Sequence, residues 1–440
     1  MITYLRVDGF RSLRKFSLEL RPGLNVLVGP NGAGKTNIIA FFEFLSNLVS
    51  EGPGSAFHST GGVSESLTRH DTRQVKEKID AALWGSSKLD ENNYIEYMYS
   101  FEITVDFERE SVILAKQTFN LREEPDFRTV RPDNFGDPSF VATQDIREGK
   151  PDLNIEKYPE SRANKWFNSL PIDDVKKYFG YLSGPSNSLI ANLARLMYPA
   201  HLVEHDIRNG ETFNIIPSRV KKIEESTDPP GIKRDGSGLA PTLWAMQRER
   251  TAGLFGYHPP SWDRHYDEGL LTRDNLMRIK KNLQLANPAI TDIEVVPDTF
   301  TNQLSLRLAL MSEGAKVSFP LTSMSDGTVK WLTLITAILT SPSLFSIEEP
   351  ENYLHPWMQA EIIRIMRNNI VDQRGNDVFI LMTTHSTALL DEASVEEVIV
   401  VAMEDGGTKA RRVDDPEQLA EEIAKTGFGL GHLYKAGLLD

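Results

Sequence analysis

The stretch Gly23–Asn37, GLNVLVGPNGAGKTN, decides the fold. An apolar run leads into Gly29, and Gly29 to Thr36 then read G-x-x-x-x-G-K-T. Beyond them Ile38, Ile39, Phe42, Leu45, Leu48 and Val49 recur at helical spacing. Strand, glycine loop and helix in that order make a phosphate cradle. The glycines let backbone N–H groups converge on phosphate oxygens, Lys35 reaches the terminal phosphates, and the Thr36 hydroxyl suits Mg²⁺. Asn31, Gly32, Ala33, Gly34 and Asn37 complete the segment expected to touch a nucleotide.

A metal-bound phosphate calls for acids at the tip of a neighbouring strand. FSIEEPENYLHP, Phe345 to Pro356, supplies them, because carboxylates at the end of a buried strand are costly unless a cation or a reacting water uses them. Glu348 is expected to hold Mg²⁺ and Glu349 to polarise the attacking water. Glu351 is expected to lead away from the site after Pro350, toward a subunit interface or the turn, and His355 is expected to be a turn residue.

Around these two motifs the chain reads as α/β. YLRVDGF and KFSLEL at the start are strands, as are SFEITVDFERE and SVILAKQTFNLR, which should form a hairpin. Residues 51–67 read as a long loop, and Asp152 to Asn287 as mainly helical. ITDIEVVPD, QLSLRLALM and KVSFPL come next as strands. The last third alternates: a helix over Gly327–Leu339, the strand LFSIEE, a helix over Trp357–Ile370, then VFILMTTHS and EVIVVAME. That rhythm predicts a parallel sheet that the N-terminal strands complete. The expected division is a core from both chain ends, 1–49 and 291–440, with a β-subdomain over 50–150 and a helical insertion over 151–290 inserted into it.

Composition narrows the field. A hydrophobic content of 40% over 440 residues builds a core. The absence of cysteine excludes disulfides, thiolate metal sites and a cysteine nucleophile. No apolar run is long enough to span a bilayer and no signal peptide opens the chain, so a cytoplasmic protein with no membrane contact is expected. The net charge of −14 argues against broad nucleic-acid affinity. The basic runs RVKKIEES near Lys221 and RIKKNLQ near Lys280 read as solvated helix faces, with DNA contact as the sharper alternative. HLVEH, His201 to His205, matches a zinc-protease pattern with Glu204 as its acid, but the DIRNGETFNII after it turns strand-like too soon to supply a third ligand.

SDGT, Ser325 to Thr328, precedes a strongly apolar helix, with Ser325 as its expected N-cap. It lies 23 residues before Glu348, and His385 in LMTTHS follows Glu349 by 36. Together these segments resemble an ABC-type ATPase of the SMC and RecF class, with SDGT in the signature position, EEPENYLHP as Walker B and D-loop, and TTHS holding the switch histidine. FRSL at Phe10–Leu13, KRDGSGLAPTLW at Lys233–Trp244 and the closing GLGHLYKAGLL are similar to RecF-like ATPases that include the ATPase part of OLD-family proteins. The resemblance implies ATP and Mg²⁺ as ligands, and a homodimer or higher homo-oligomer in which ATP on Lys35 and Thr36 of one subunit is covered by Ser325 and Gly327 of the other. It places His385 near the γ-phosphate and Arg11 and Ser12 against nucleotide. Asp326 departs from the transporter-type signature. The glutamine that would complete the metal site falls to Gln144 or Gln117, with Gln144 as the metal ligand.

Proteins of this kind often act beside a separate effector, typically a nuclease, in antiphage defence; DNA repair or recombination is the alternative. Only 55 residues follow His385, fewer than a Toprim nuclease domain needs, so any cutting is expected from another chain. A transporter subunit is disfavoured by the roughly 290 residues between Lys35 and Ser325.

Overall fold

The computed structural model describes residues 1–71, 74–147, 150–157, 176–177, 187–208, 211–248, 270–298, 300–341, 345–373 and 379–439. The chain begins with three strands, β1 (Ile2–Asp8), β2 (Phe16–Glu19) and β3 (Gly23–Val28), and enters helix α1 (Lys35–Glu51). Two short strands, β4 (Arg69–Asp71) and β5 (Gln74–Val75), lead to β6 (Lys78–Lys88), β7 (Tyr94–Asp106), β8 (Ser111–Glu124), β9 (Phe140–Arg147) and β10 (Lys150–Lys157). Later come β11 (Glu211–Phe213), β12 (Glu224–Glu225), β13 (Ile290–Pro297), β14 (Gln303–Ser312) and β15 (Ala315–Pro320). The chain closes with β16 (Phe345–Glu348), β17 (Phe379–Thr384), β18 (Val398–Glu404) and β19 (Gly407–Arg412).

A six-stranded sheet in the order β11-β16-β17-β3-β18-β19 carries the phosphate loop. Its strands run parallel except β19, which returns antiparallel from β18. β3 and β17 are apolar at almost every position because both faces are covered. Leu24, Val26 and Val28 of β3 with Ile380 and Met382 of β17 enter one core, while Leu27, Phe379 and Leu381 enter the other. The first of these cores also receives the helices Asp326–Thr340 and Pro356–Gln373. In the second, α1 lies between this sheet and a seven-stranded antiparallel sheet of order β10-β9-β8-β7-β6-β1-β2.

The expectation that the N-terminal strands complete the parallel sheet holds for β3 alone. β1 pairs antiparallel with β2 and β6. The pattern explains it: Ile2, Leu5 and Val7 are buried while Arg6 is exposed, which suits a sheet wet on one side. The seven-stranded sheet thus runs across residue 50. Residues 51–67 are not a plain loop, since Pro53–Ser59 and Val63–Ser66 are short helices started after Gly52 and Gly62. The stretch 152–287 holds helices at Leu189–Ala194, Tyr198–Arg208, Leu239–Arg248 and Arg273–Ala286, but also the end of β10, β11 and β12.

Phe10 joins the layers. It is fully buried, with its ring 5.3 Å from Phe41 and 5.2 Å from Phe44 of α1. Replacing Phe10 by Ala should cost about 3–5 kcal/mol of unfolding free energy. The measurement is the urea midpoint, and an unchanged midpoint would show that the ring does not carry this junction.

Candidate functional site

The phosphate loop gets its shape from backbone freedom. Gly32 and Gly34 have φ of 82° and 98°, and Gly34 is the N-cap of α1 without a side-chain hydrogen bond, so the helix N-terminus stays open to an anion. A Cβ on Gly34 would run into Thr408 Oγ1 of β19. The Lys35 ammonium curls over the loop and donates to the carbonyls of Gly29 (2.8 Å) and Pro30 (3.1 Å). Burial pulls its pKa down, opposed by the carboxylates of Glu349 and Glu351. Thr36 is exposed at the first turn.

Arg11, Ser12 and Asn37 meet at that turn. Arg11 donates to Asn37 Oδ1 (3.4 Å) and to the Thr60 carbonyl (2.7 Å). Asn37 Nδ2 donates to Ser12 Oγ (2.7 Å), which lies 2.6 Å from Thr408 Oγ1. Thr408 in turn donates to the Ala33 carbonyl (3.1 Å), so the Ser12 hydroxyl supplies the proton between the two. Ser12 braces the loop, and the C-terminal hairpin β18–β19 is its floor.

The acids sit at and just beyond the end of β16, beside the end of β17. Glu348 is buried, and Arg234 Nη2 donates to its Oε1 at 3.0 Å while Nη1 pairs with Glu43 of α1. Burial raises the Glu348 pKa, with Arg234 opposing the shift. Glu349 has φ of 42°; its N–H donates to the Thr383 carbonyl (3.1 Å), and its Oε2 accepts from Asn352 Nδ2 (2.9 Å). Its Oε1 faces His385 Nε2 at 3.8 Å. The site thus brings Lys35, Glu349 and His385 into one neighbourhood, as the sequence suggests.

Glu351 does not lead away. Its Oε1 accepts from the His385 N–H (2.7 Å) and from Thr384 Oγ1 (2.9 Å), so it holds the turn at His385. His355 serves the turn, its carbonyl accepting from Met358 N–H at 2.8 Å at the start of the next helix. Ser325 caps its helix as expected, with Oγ accepting from Thr328 N–H at 3.3 Å. Gly327 packs so closely on the turn after β16 that a Cβ would lie 2.7 Å from the Tyr353 carbonyl oxygen.

Gln144, expected as a metal ligand, lies instead in the inward face of β9. It follows Phe140 and Ala142 at period two into the core, fully buried, with no partner for either amide atom. Four strand spacings, roughly 19 Å, separate β9 from β1 in that sheet. Gln117 is no better placed: its Oε1 accepts from Tyr99 OH (2.7 Å) and Leu189 N–H (2.8 Å). His201 Nδ1 lies 3.6 Å from Glu204, and no group of three His, Cys, Asp or Glu poised for a metal occurs among the described residues. Lys221 pairs with Asp326 and Lys280 with Asp292.

The residues fit the expected ligands. A Cβ at Gly32 would meet nothing within 4 Å, which leaves room for a phosphate. Glu348, already held by a cation, with Thr36 exposed on the first turn of α1, would supply oxygens for Mg²⁺. Arg234 and Thr408 escape sequence reasoning. KRDGSG marks a segment without setting Arg234 apart within it, and nothing local marks a threonine in a C-terminal hairpin.

Residues 24–391 match the family model described as "AAA domain, putative AbiEii toxin, Type IV TA system". The chain belongs to this AAA-domain family. It is also 41% identical over 49 residues to the DNA replication and repair protein RecF of Corynebacterium jeikeium, and 47% identical over 49 residues to that of Acidothermus cellulolyticus. These stretches cover 11% of this chain and 12% and 13% of the two relatives, about an eighth of their length. Over 69 residues it is 39% identical to structural maintenance of chromosomes protein 3 of Dictyostelium discoideum, covering 14% of this chain and 5% of that protein. A crystal structure of the SmcHead bound to the C-winged helix domain of ScpA aligns over 95% of this chain and 99% of that one, with a TM-score of 0.49 and 11% identity. No described helix of this AAA-domain protein is long and apolar enough to cross a membrane.

Arg234 neutralises two carboxylates, so Arg234→Met should cost about 1–2 kcal/mol, because the arginine is 43% exposed and partly screened. Adding Glu348→Gln should return part of that loss. A double-mutant cycle by urea unfolding measures it, and strictly additive effects would mean the pair is not coupled.

Proposed function

We propose that the protein is a Mg²⁺-dependent ATPase that dimerises around ATP and acts as the sensor and scaffold of a two-component system, controlling a separate effector, a nuclease, in bacterial antiphage defence. The observation that carries the ATPase reading is the convergence of Lys35, Glu349 and His385, with Glu349 Oε1 3.8 Å from His385 Nε2 beneath a glycine loop open to phosphate. In this reading Lys35 leaves the Gly29 and Pro30 carbonyls for the phosphates, Thr36 and Glu348 hold the metal, and Glu349 orients and deprotonates the attacking water. His385 senses the γ-phosphate. Bound Mg²⁺ would supply charge neutralisation at the phosphates. Arg11, half-buried beside the first turn of α1, adds positive charge near the nucleotide.

Ser325 and Gly327 lie at the N-terminus of another helix, and the family resemblance has them cover the nucleotide of a second subunit. The toxin named in the family description supports membership of a paired system rather than a lone enzyme. A second reading, a DNA-binding ATPase of repair or recombination, is favoured by the short RecF matches.

The test is ATP turnover and native mass for the wild type and Glu349→Gln, expressed with its flanking genes. Turnover of the variant should fall by about 10²–10⁴-fold with ATP still bound. Its native mass should rise with ATP, and a second polypeptide should join or leave the assembly. Unchanged turnover would remove Glu349 as the base. A chain of constant mass whose turnover DNA accelerates would favour the repair reading.

A further inference from the structure

The helix Asp326–Thr340 is buried along almost its whole length. Val329, Trp331, Leu332, Leu334 and Ile335 pack into the core, and the hydroxyls of Thr333, Thr336 and Thr340 donate to carbonyls one turn back at 2.7–2.8 Å. Lys330 stands among them at 1% exposure. Lysine is almost never so buried without a partner, and desolvating an ammonium costs several kcal/mol. Packing alone would be served better by leucine.

The contacts of Lys330 account for its burial. Its Nζ donates to the Glu349 carbonyl at 3.1 Å and lies 5.7 Å from the centre of the Tyr353 ring. Burial lowers its pKa to about 8, opposed by the charges of Glu351 and Glu349. The turn it grips is strained: Glu349 and Tyr353 have φ of 42° and 70°, a region that costs a side-chain-bearing residue about 1–2 kcal/mol. Both backbone groups of Glu349 are clamped, the N–H by β17 at Thr383 and the carbonyl by Lys330.

The same helix begins at Ser325 and Gly327, and the close fit of Gly327 on the Tyr353 carbonyl ties its first turn to the same loop. Five residues separate Ser325 from Lys330, roughly 7.5 Å of helix. We propose that Lys330 is a positioning residue that couples two half-sites: from the helix whose N-terminus would face a partner subunit's nucleotide, it holds the Glu349 carbonyl and so aims the carboxylate of its own chain. Seating of that helix against the partner sets Glu349 for attack; displacement of the helix releases it. This rests on Glu349 being the base of an ATPase.

The experiment compares kcat, KM, the Kd of a fluorescent ATP analogue and the melting temperature for the wild type, Lys330→Met and Lys330→Arg. In Lys330→Met, Kd and KM should stay within about twofold while kcat falls about 10–100-fold, the scale of a misaimed catalytic group. Lys330→Arg keeps a cationic donor and should recover to within about threefold of the wild type. A Lys330→Met protein that turns over normally overturns the inference. So does joint loss of binding, turnover and melting temperature in both variants, which would make the lysine a structural prop. A wild type without turnover, or Lys35→Ala as active as the wild type, would instead overturn the ATPase reading, and the inference with it.

Discussion

Buried carboxylates govern this structure. Glu348 ends β16 in the interior and Glu351 is half-buried in the turn after it, where an uncompensated charge is costly, so each is answered by another element. Arg234 answers Glu348 from the loop after β12, and the Thr384 hydroxyl with the His385 N–H answers one oxygen of Glu351. Arg234 also reaches Glu43, which ties the middle of α1 to the acidic strand tip. The compensation draws distant parts of the chain to one edge of the parallel sheet.

The same edge stores backbone strain. Glu349 and Arg11 both have positive φ without being glycine, and each is held on both backbone groups: Arg11 through the Ser66 carbonyl and the Thr68 hydroxyl, Glu349 through Thr383 and Lys330. Such conformations persist only where neighbours over-determine them. The phosphate loop is built alike. Gly29 and Gly34 lie so close to Val401 and Thr408 that a side chain at either would collide, so the loop keeps its shape because the last hairpin presses on it. The helix Asp326–Thr340, the turn at Glu349–Tyr353, the glycine loop and the C-terminal hairpin thus pack around the site.

Much of the site is legible in the sequence because its chemistry is local. The order strand, glycine loop and helix is encoded within Gly23–Val49, and the acidic turn comes directly after β16. Local evidence fails for long-range jobs. Gln144 reads in sequence as a polar residue free to bind a metal, but strand alternation turns it into the core of the seven-stranded sheet. Glu351 reads as the start of an outward turn, whereas the positive φ at Glu349 swings the chain back and points it under His385. Arg234, Thr408 and Lys330 carry no motif, and their roles exist only through partners 114, 375 and 19 residues away.

By itself the sequence determined the α/β class, the glycine loop that leads into α1 at Lys35 and Thr36, the pair Glu348–Glu349 at the end of β16, and the cap at Ser325. These follow from periodicity, glycine stereochemistry and short-range hydrogen bonding, which act within a few residues. Tertiary structure alone decided that β1 and β2 leave the parallel sheet, that Arg234 neutralises Glu348, and that buried Lys330 joins the helix Asp326–Thr340 to Glu349. The physical reason is that charge compensation and packing depend on distance in space, and a chain of 440 residues brings together groups whose separation along it says nothing of their contact.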